Sequence, residues 1–92
     1  MKYFVYVIIS ISSGNIYIGQ TNNPKRRIDE HNNPLIGKRN KFTKKDGPWK
    51  IIFLEEFLSR TDSIKREKSL KSHKGRDWIK EKIAQRYPAQ PD

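Results

Sequence analysis

The feature that most constrains the fold is a run near the N-terminus, residues 3–9, that is apolar in both of its alternating sets of residues. A strand with apolar side chains on both faces is typical of the centre of a sheet. A cluster of Ser, Gly and Asn follows at residues 12–15, and residues 16–20 alternate again between apolar and other side chains. This order predicts an antiparallel β-hairpin whose first strand is covered on both sides.

Each strand of this hairpin carries a tyrosine, Tyr6 in the first and Tyr17 in the second. Directly opposed residues of an antiparallel pair share a face, whereas a slip of one residue separates them. We predict that the two rings lie on one face. Tyrosines in strands are ordinarily core rings, but a pair of phenols beside a cation can also accept or relay a proton. Both interpretations are open from the residues alone.

The next segments are defined by caps, prolines and apolar runs. Asn22 or Asn23 can cap a helix over Pro24–Asn32, whose first position suits proline because its missing N–H would be unpaired there. Residues 35–48 are rich in Lys and Arg and predict an irregular basic loop. Trp49–Phe57 contains a continuous apolar run of strand length, which predicts a third strand.

Two further helices are expected after this strand. Ser59 or Thr61 can cap the first, which is predicted to end near Ser72 and to be broken by residues 73–75. The last helix follows from apolar residues at helical spacing and runs until Pro88. The predicted fold is therefore α+β, a small three-stranded antiparallel sheet flanked by three helices in the order ββαβαα. Residues 1–87 are expected to form a single domain and residues 88–92 a flexible tail.

The chain is strongly basic. Its 92 residues include 20 Lys and Arg against 10 Asp and Glu, which leaves a net charge of +10. Such a charge is typical of a protein that binds a polyanion, so nucleic acid is the expected partner. The alternative is a protein that is merely basic, because net charge governs solubility and non-specific binding rather than fold.

The sequence also excludes several classes of site and location. No cysteine is present, so disulfides, thiolate zinc sites and thiol nucleophiles are ruled out. The N-terminal apolar run is too short to span a bilayer and has no small-residue cleavage site. No long helix is expected to divide into a basic and an apolar face, which argues against a membrane partner. We expect a cytoplasmic protein; protein partners are not predicted.

The first predicted helix carries Arg27 and His31, four residues apart and therefore one turn apart on the same face. One substrate can contact both side chains. The alternative is a solvated face, because the same helix also carries other charged residues, and most helical charge runs contact only water.

A lone carboxylate, Glu67, lies between Ile64 and Leu70 in the predicted apolar stripe of the second helix. A carboxylate in such a stripe requires a cation or a metal ion, because burying it without a partner is costly. An ion pair with Lys71 on the next turn, or a position at the edge of the stripe, is the alternative. A single glutamate can hold one Mg²⁺ loosely, with waters and a substrate phosphate as the other ligands.

These segments resemble the GIY-YIG nuclease superfamily, in particular its small stand-alone bacterial members, over about residues 2–80. Residues 4–6 (FVY) stand where the family has Gly-Ile-Tyr, and residues 17–19 (YIG) match the second signature letter for letter. Residues 4 and 5 depart from the first signature, although its tyrosine is retained. No asparagine follows Asn40, so the C-terminal asparagine of several family members has no counterpart here.

Three further segments extend the resemblance. Residues 19–31 resemble the family's strand-to-helix segment with its catalytic arginine, here Arg27. Residues 41–43 (KFT) resemble a basic-aromatic-threonine stretch of the small subgroup. Arg66 and Glu67 resemble the part of a helix that bears the family's metal-binding glutamate.

The resemblance implies a metal-dependent endonuclease that hydrolyses DNA, with DNA repair or recombination as the expected context. Its implied catalytic residues are Tyr6, Tyr17, Arg27, His31 and Glu67, with Glu67 as the ligand of Mg²⁺ or Mn²⁺. Basic residues are expected to contact nucleic-acid phosphates, and these are Lys25, Arg26, Lys38, Arg39, Lys41, Lys44 and Lys45. The alternative is a non-catalytic DNA- or RNA-binding module with the same basic surface. A structural protein of a ribonucleoprotein particle also fits the charge, but it gives no reason for the position of Glu67.

Overall fold

A computed structural model describes residues 2–33 and 47–86, and these residues form a three-stranded antiparallel sheet and three helices. The elements in chain order are β1 (Tyr3–Ser10), β2 (Ile16–Thr21), α1 (Pro24–Asn32), β3 (Trp49–Phe57), α2 (Arg60–Lys71) and α3 (His73–Arg86). The predicted α+β class and the order ββαβαα are confirmed. In the described part of the chain, no helix is long and apolar enough to cross a membrane.

Some predicted features fall elsewhere in the chain. Residues 35–46 of the predicted basic loop and the tail at residues 88–92 lie outside the described residues. The predicted phosphate contacts in that part of the loop are Lys38, Arg39, Lys41, Lys44 and Lys45.

The central strand of the sheet is β1, which pairs with β2 on one side and with β3 on the other. This is the position that its two apolar faces predict. In the β1–β2 hairpin Tyr6 lies opposite Gly19, and Ile8 lies opposite Tyr17. Because residues two apart on a strand share a face, Tyr6 and Tyr17 lie on the same face, as diagonal rather than direct neighbours. The predicted common face of the two rings is confirmed.

The two faces of the sheet bury different sets of side chains. The face that packs against α2 and α3 carries the larger cluster, with buried Val5, Val7, Ile18, Ile52, Leu70 and Ile79. The face beneath α1 carries Tyr6, Ile8 and Trp49, with Tyr17, Ile28 and Ile51 packed against them. The larger apolar cluster therefore stabilises one face, and the other face holds the polar rings.

Helix α1 has the predicted bounds, and local chemistry accounts for both ends. Asn23 is the N-cap, and its side chain accepts a hydrogen bond from the Arg26 amide at 3.1 Å. At the other end, the Asn32 side chain accepts from the Trp49 amide at 2.6 Å and donates to the Trp49 carbonyl at 3.1 Å. These paired bonds attach the end of α1 to the first residue of β3, so the helix is held over the face that carries Tyr6.

The junction of α2 and α3 differs from the prediction at one point. Helix α2 begins after the predicted cap Ser59 and ends at Lys71, but residues 73–75 are the first turn of α3 rather than a break. The division lies at Ser72, whose Oγ accepts from the Gly75 amide at 3.2 Å. A Cβ at Gly75 would lie 2.5 Å from the Leu70 Cα. Gly75 therefore permits close approach of two backbones, and this is why a glycine stands inside a helix here.

Candidate active site

The Tyr6 hydroxyl lies between two side chains of α1. It lies 2.9 Å from His31 Nε2, within hydrogen-bond distance, and it accepts from Arg27 Nε at 3.3 Å. Only 2% of Tyr6 is exposed, and burial raises the pKa of its phenol to about 12, against the opposing effect of the nearby Arg27 charge. At neutral pH the hydroxyl therefore keeps its proton.

Gly19 provides the space that this hydroxyl occupies. A Cβ at Gly19 would lie 2.5 Å from Tyr6 Oη and 2.7 Å from Tyr6 Cζ, which is closer than van der Waals contact allows. The ring cannot simply turn away, because its oxygen is bonded to both Arg27 and His31. Gly19 of the second signature is therefore explained by Tyr6 of the first signature, because the two residues lie directly opposite each other in the hairpin.

His31 is buried, with 1% of the residue exposed. Burial, aided by the positive charge of Arg27, lowers the pKa of His31 to about 4, while the Glu30 carboxylate opposes this change. The imidazole is therefore neutral at neutral pH. Its Nε2 lies within hydrogen-bond distance of the Tyr6 hydroxyl, and which of the two groups donates depends on the ring nitrogen that carries the proton.

The Arg27 guanidinium is held at two points, by Tyr6 and by Glu30. Its NH1 group lies 2.9 Å from Glu30 Oε2, and Arg26 lies 3.5 Å from the other carboxylate oxygen of Glu30. The sequence predicts no role for Glu30, which is one of the other charged residues of this helix. Its spacing of three residues from Arg27 indicates the ion pair, because residues at this spacing are neighbours on a helix surface.

Tyr17 completes the ring cluster on this face of the sheet. Its ring centroid lies 6.2 Å from that of Tyr6 and 4.9 Å from that of His31. Tyr17 is half-buried, whereas Tyr6 and His31 are buried, so Tyr17 is the most exposed ring of the three. Four of the five predicted catalytic residues, Tyr6, Tyr17, Arg27 and His31, are therefore in one connected cluster.

Glu67 approaches this cluster from α2. It forms the predicted alternative ion pair, with Oε1 lying 3.3 Å from Lys71 Nζ, and 20% of its side chain is exposed. Burial is the main cause of the raised pKa of Tyr6, and the negative charge of Glu67 makes the smallest contribution to it. No hydrogen bond from Glu67 to the ring cluster occurs within residues 2–33 and 47–86.

The inward face of α2 is more polar than the sequence suggested. Ser63 and Leu70 are buried at 0% and 1% exposure, whereas Ile64, expected in the buried stripe, is half-buried. Ser63 Oγ donates to Gln20 on β2 at 3.2 Å, which accounts for a buried hydroxyl at that position. Glu67 follows Ser63 by one turn, so it lies at the edge of the helix face that packs on the sheet.

The donor set around Glu67 suits a loosely held divalent cation. Among the described residues, no group of three His, Cys, Asp or Glu side chains is arranged to hold a metal ion. Mg²⁺ is commonly bound through one or two carboxylates, with waters and substrate phosphates as its other ligands. A half-buried carboxylate whose partner is an exposed lysine meets this requirement, because the lysine can be displaced.

Two predicted phosphate contacts fall on the described part of α1. Lys25 and Arg26 are both exposed, and Arg26 is engaged with Glu30. They lie on the same helix as Arg27, so a polyanion that reaches Arg27 passes close to them.

Known proteins are similar to this chain over most of its length. A family model described as the GIY-YIG catalytic domain matches residues 2–82. The UPF0213 protein SERP0126 of Staphylococcus epidermidis is 30% identical over 79 residues, which cover 86% of this chain and 92% of that protein. The structure-specific endonuclease subunit slx1 of Aspergillus terreus is 40% identical over 53 residues, which are 56% of this chain but 14% of that protein.

The fold also has a solved counterpart. The solution NMR structure of the UPF0213 protein BH0048 from Bacillus halodurans matches with a TM-score of 0.51 and 27% sequence identity. The match covers 86% of this chain and 82% of that one, so it includes the sheet and its helices rather than one local motif.

Proposed function

This chain belongs to the GIY-YIG catalytic domain family, a family of nucleases, and on that premise we propose that it is a divalent-metal-dependent endonuclease that hydrolyses DNA. DNA structures that arise in repair or recombination are the substrate context we assign to it, since slx1 is named a structure-specific endonuclease subunit. The observation that carries the proposal is the Tyr6 hydroxyl, held between a guanidinium and a neutral imidazole on a strongly basic protein.

Arg27 acts on the phosphate. Its guanidinium is half-buried, where a charge is screened less than in bulk water, and Glu30 and Tyr6 hold it in place. A guanidinium fixed before the substrate arrives stabilises the negative charge that develops on the phosphoryl oxygens without having to reorganise. Lys25 and Arg26 add sequence-independent attraction for the backbone.

Tyr6 and His31 form the proton path. In this path the phenol is the donor and His31 Nε2 the acceptor. As water attacks phosphorus and the bond from phosphorus to the leaving oxygen breaks, the proton of the water passes to the Tyr6 oxygen while the phenolic proton passes to His31 Nε2, and the leaving oxygen takes a proton from solvent. The phenol ends unchanged and the imidazole ends protonated. Arg27 donates to the same oxygen and stabilises the negative charge that it carries during the transfer. A bound phosphate offsets the charge of Arg27, which raises the pKa of His31 toward the value that this transfer needs.

Two groups border this path. The Tyr17 ring packs beside Tyr6 and His31 and limits the directions from which water approaches. Glu67 is the described residue that would hold Mg²⁺ or Mn²⁺, which when bound supplies Lewis-acid stabilisation of the phosphoryl and leaving oxygens.

The test is cleavage of labelled DNA and RNA structures by the purified protein with Mg²⁺, with Mn²⁺ and with chelator. We expect cleavage of DNA only with a divalent metal, and a loss of about 10²-fold or more in Glu67→Gln, because Lewis-acid catalysis contributes several kcal/mol. Glu56→Gln is the matched control, since Glu56 is an exposed glutamate with a comparable lysine pair at 3.4 Å. Equal rates in the two variants would refute the role of Glu67.

A non-catalytic nucleic-acid-binding module is the second candidate, favoured by the Lys71 ion pair that already neutralises Glu67. It predicts binding that weakens steeply with salt, is indifferent to Mg²⁺ and to Glu67, and is accompanied by no cleavage of any substrate. Copurification with RNA would favour a ribonucleoprotein role instead.

A further inference from the structure

A cleft of about 650 Å³ lies beside Tyr17, between the β1–β2 turn and the junction of α2 with α3. Apolar and cationic side chains line it together, among them Ile16, Ile18, Ile79, Lys71, Arg76 and Lys80. No acidic residue is among the described residues that line it. The cleft therefore combines an apolar interior with a purely positive charge.

The cations are arranged in a way that suits an anion. Arg76 and Lys80 are four residues apart on α3, so these two exposed like charges lie one turn apart on one helix face. Like charges at this spacing repel each other, and a bound anion relieves that repulsion. Arg76 Nε also donates to the Lys71 carbonyl at 3.3 Å, which holds its guanidinium near the end of α2.

Two residues connect the cleft to the candidate active site. Tyr17 is one of the residues that line the cleft, and its ring packs 4.9 Å from the His31 ring. Lys71 lines the cleft and also pairs with Glu67 at 3.3 Å. The cleft therefore borders the candidate active site.

We propose that the cleft holds one unpaired nucleotide of the strand that is cut, with its base against Ile16, Ile18 and Ile79 and its phosphate against Arg76 and Lys80. The inference rests on the proposed nuclease function and adds a substrate class, strands with an unpaired nucleotide beside the cut. A volume of 650 Å³ lies in the range of about 300–1,000 Å³ typical of small-ligand pockets, which suits a single nucleotide rather than a duplex.

Binding without metal tests the cleft separately from catalysis. We would measure fluorescence anisotropy of a short labelled single-stranded oligodeoxynucleotide in chelator, and of the blunt duplex of the same sequence. The single strand should bind more tightly than the duplex. The Arg76→Gln/Lys80→Gln double variant should bind the single strand on the order of tenfold more weakly, with a salt slope lower by about 1.4, as two lost contacts to a single strand predict.

A matched double variant controls for the loss of charge. Lys65→Gln/Lys68→Gln removes two exposed cations of α2 that do not line the cleft, and it should retain nearly all of the single-strand affinity. Thermal unfolding of both double variants checks the fold. If the loss of the Arg76 hydrogen bond lowers the melting temperature, Lys80→Gln alone replaces the cleft variant, with Lys68→Gln as its control.

The use of the apolar part of the cleft is tested with an abasic strand of the same length. Weaker binding of the abasic strand supports a bound base, because its phosphates are unchanged. Equal binding of the abasic strand, equal binding of the duplex, or equal losses in the cleft and control variants would each overturn the proposal. A protein that binds as expected in chelator but cleaves nothing with Mg²⁺ would retain this cleft and refute the nuclease function.

Discussion

The candidate residues on α1 and the candidate residue on α2 are held in different ways. On the α1 side, Tyr6 and His31 are 2% and 1% exposed and joined by a hydrogen bond, and Arg27 is bonded to Tyr6 and Glu30. On the α2 side, Glu67 pairs with exposed Lys71 at 3.3 Å. The difference separates a buried, hydrogen-bonded group of side chains from a carboxylate held by one ion pair. In the function proposed above, the first would transfer a proton and bind phosphate, and the second would exchange its lysine for a metal ion.

The largest expected effect is on the α1 side. Tyr6→Phe removes the hydroxyl that links Arg27 to His31, so we expect single-turnover cleavage to slow by about 10²–10⁴-fold, the range of general acid–base catalysis. Tyr3→Phe is the matched control, because Tyr3 lies on the same strand and alternates to the opposite face. If Tyr6→Phe cleaves as fast as Tyr3→Phe, the proton path through the phenol is wrong.

The second effect concerns acid stability. The pKa of His31 is lowered from 6.5 to about 4 by burial, so the unfolded state binds more protons between these values. The free energy of unfolding should therefore be greatest above about pH 6.5 and fall as the pH drops toward 4, by up to about 3 kcal/mol. Urea unfolding at several pH values measures this.

His31→Gln is the comparison for this measurement. The glutamine side chain keeps an acceptor for Tyr6 but cannot titrate. The free energy of unfolding of this variant should therefore fall less between pH 6.5 and pH 4, because only the carboxylates still contribute to the loss. Identical pH dependence in wild type and variant would contradict a buried neutral imidazole.

The third effect concerns the close packing of Tyr6 against Gly19 across the hairpin. In Gly19→Ala the new Cβ would lie 2.5 Å from Tyr6 Oη, so we expect a loss of about 1–3 kcal/mol in stability together with slower cleavage. Gly47→Ala is the control, because its Cβ would meet its nearest neighbour, in Trp49, at 3.4 Å. Combining Gly19→Ala with Tyr6→Phe should cost less activity than the sum of the two, since both act on one hydroxyl. If the two losses of activity add in full, Gly19 acts independently of the Tyr6 hydroxyl.

The smallest effect tests Glu30 as a positioning residue. Glu30→Ala removes the acceptor 2.9 Å from Arg27 and should lower kcat about tenfold, the size expected for one charged hydrogen bond of about 1.5 kcal/mol. Glu30→Gln should recover most of this loss, because its amide oxygen still accepts. Asp29→Ala, an exposed acidic residue of the same helix, should leave kcat unchanged. Failure of Glu30→Gln to recover activity would show that the charge, not the position, of Glu30 matters.

Prediction from the sequence succeeded wherever the signal was local. Alternation in residues 3–9 and 16–20 predicted the hairpin, and Asn23 with Pro24 predicted the start of α1, because strand faces and helix caps depend on neighbours in the chain. Prediction failed at residues 73–75, where Gly75 suggests the end of a helix but in fact lies in the first turn of α3. A glycine that ends a helix and a glycine that lets two helices approach are indistinguishable until the partner backbone is in place.

By itself, the sequence determined the strands and helices, the common face of Tyr6 and Tyr17, and the family of the chain, since each follows from periodicity or from short motifs. Only the tertiary structure decided that Tyr6 bonds to His31, that Glu30 holds Arg27, and that Gly19 leaves room for a phenol. It also decided that Glu67 pairs with Lys71 rather than joining the ring cluster by a hydrogen bond. These contacts depend on burial and on the distances between elements far apart in the chain, which must be correct to within a few tenths of an ångström. No pattern along one segment contains this information.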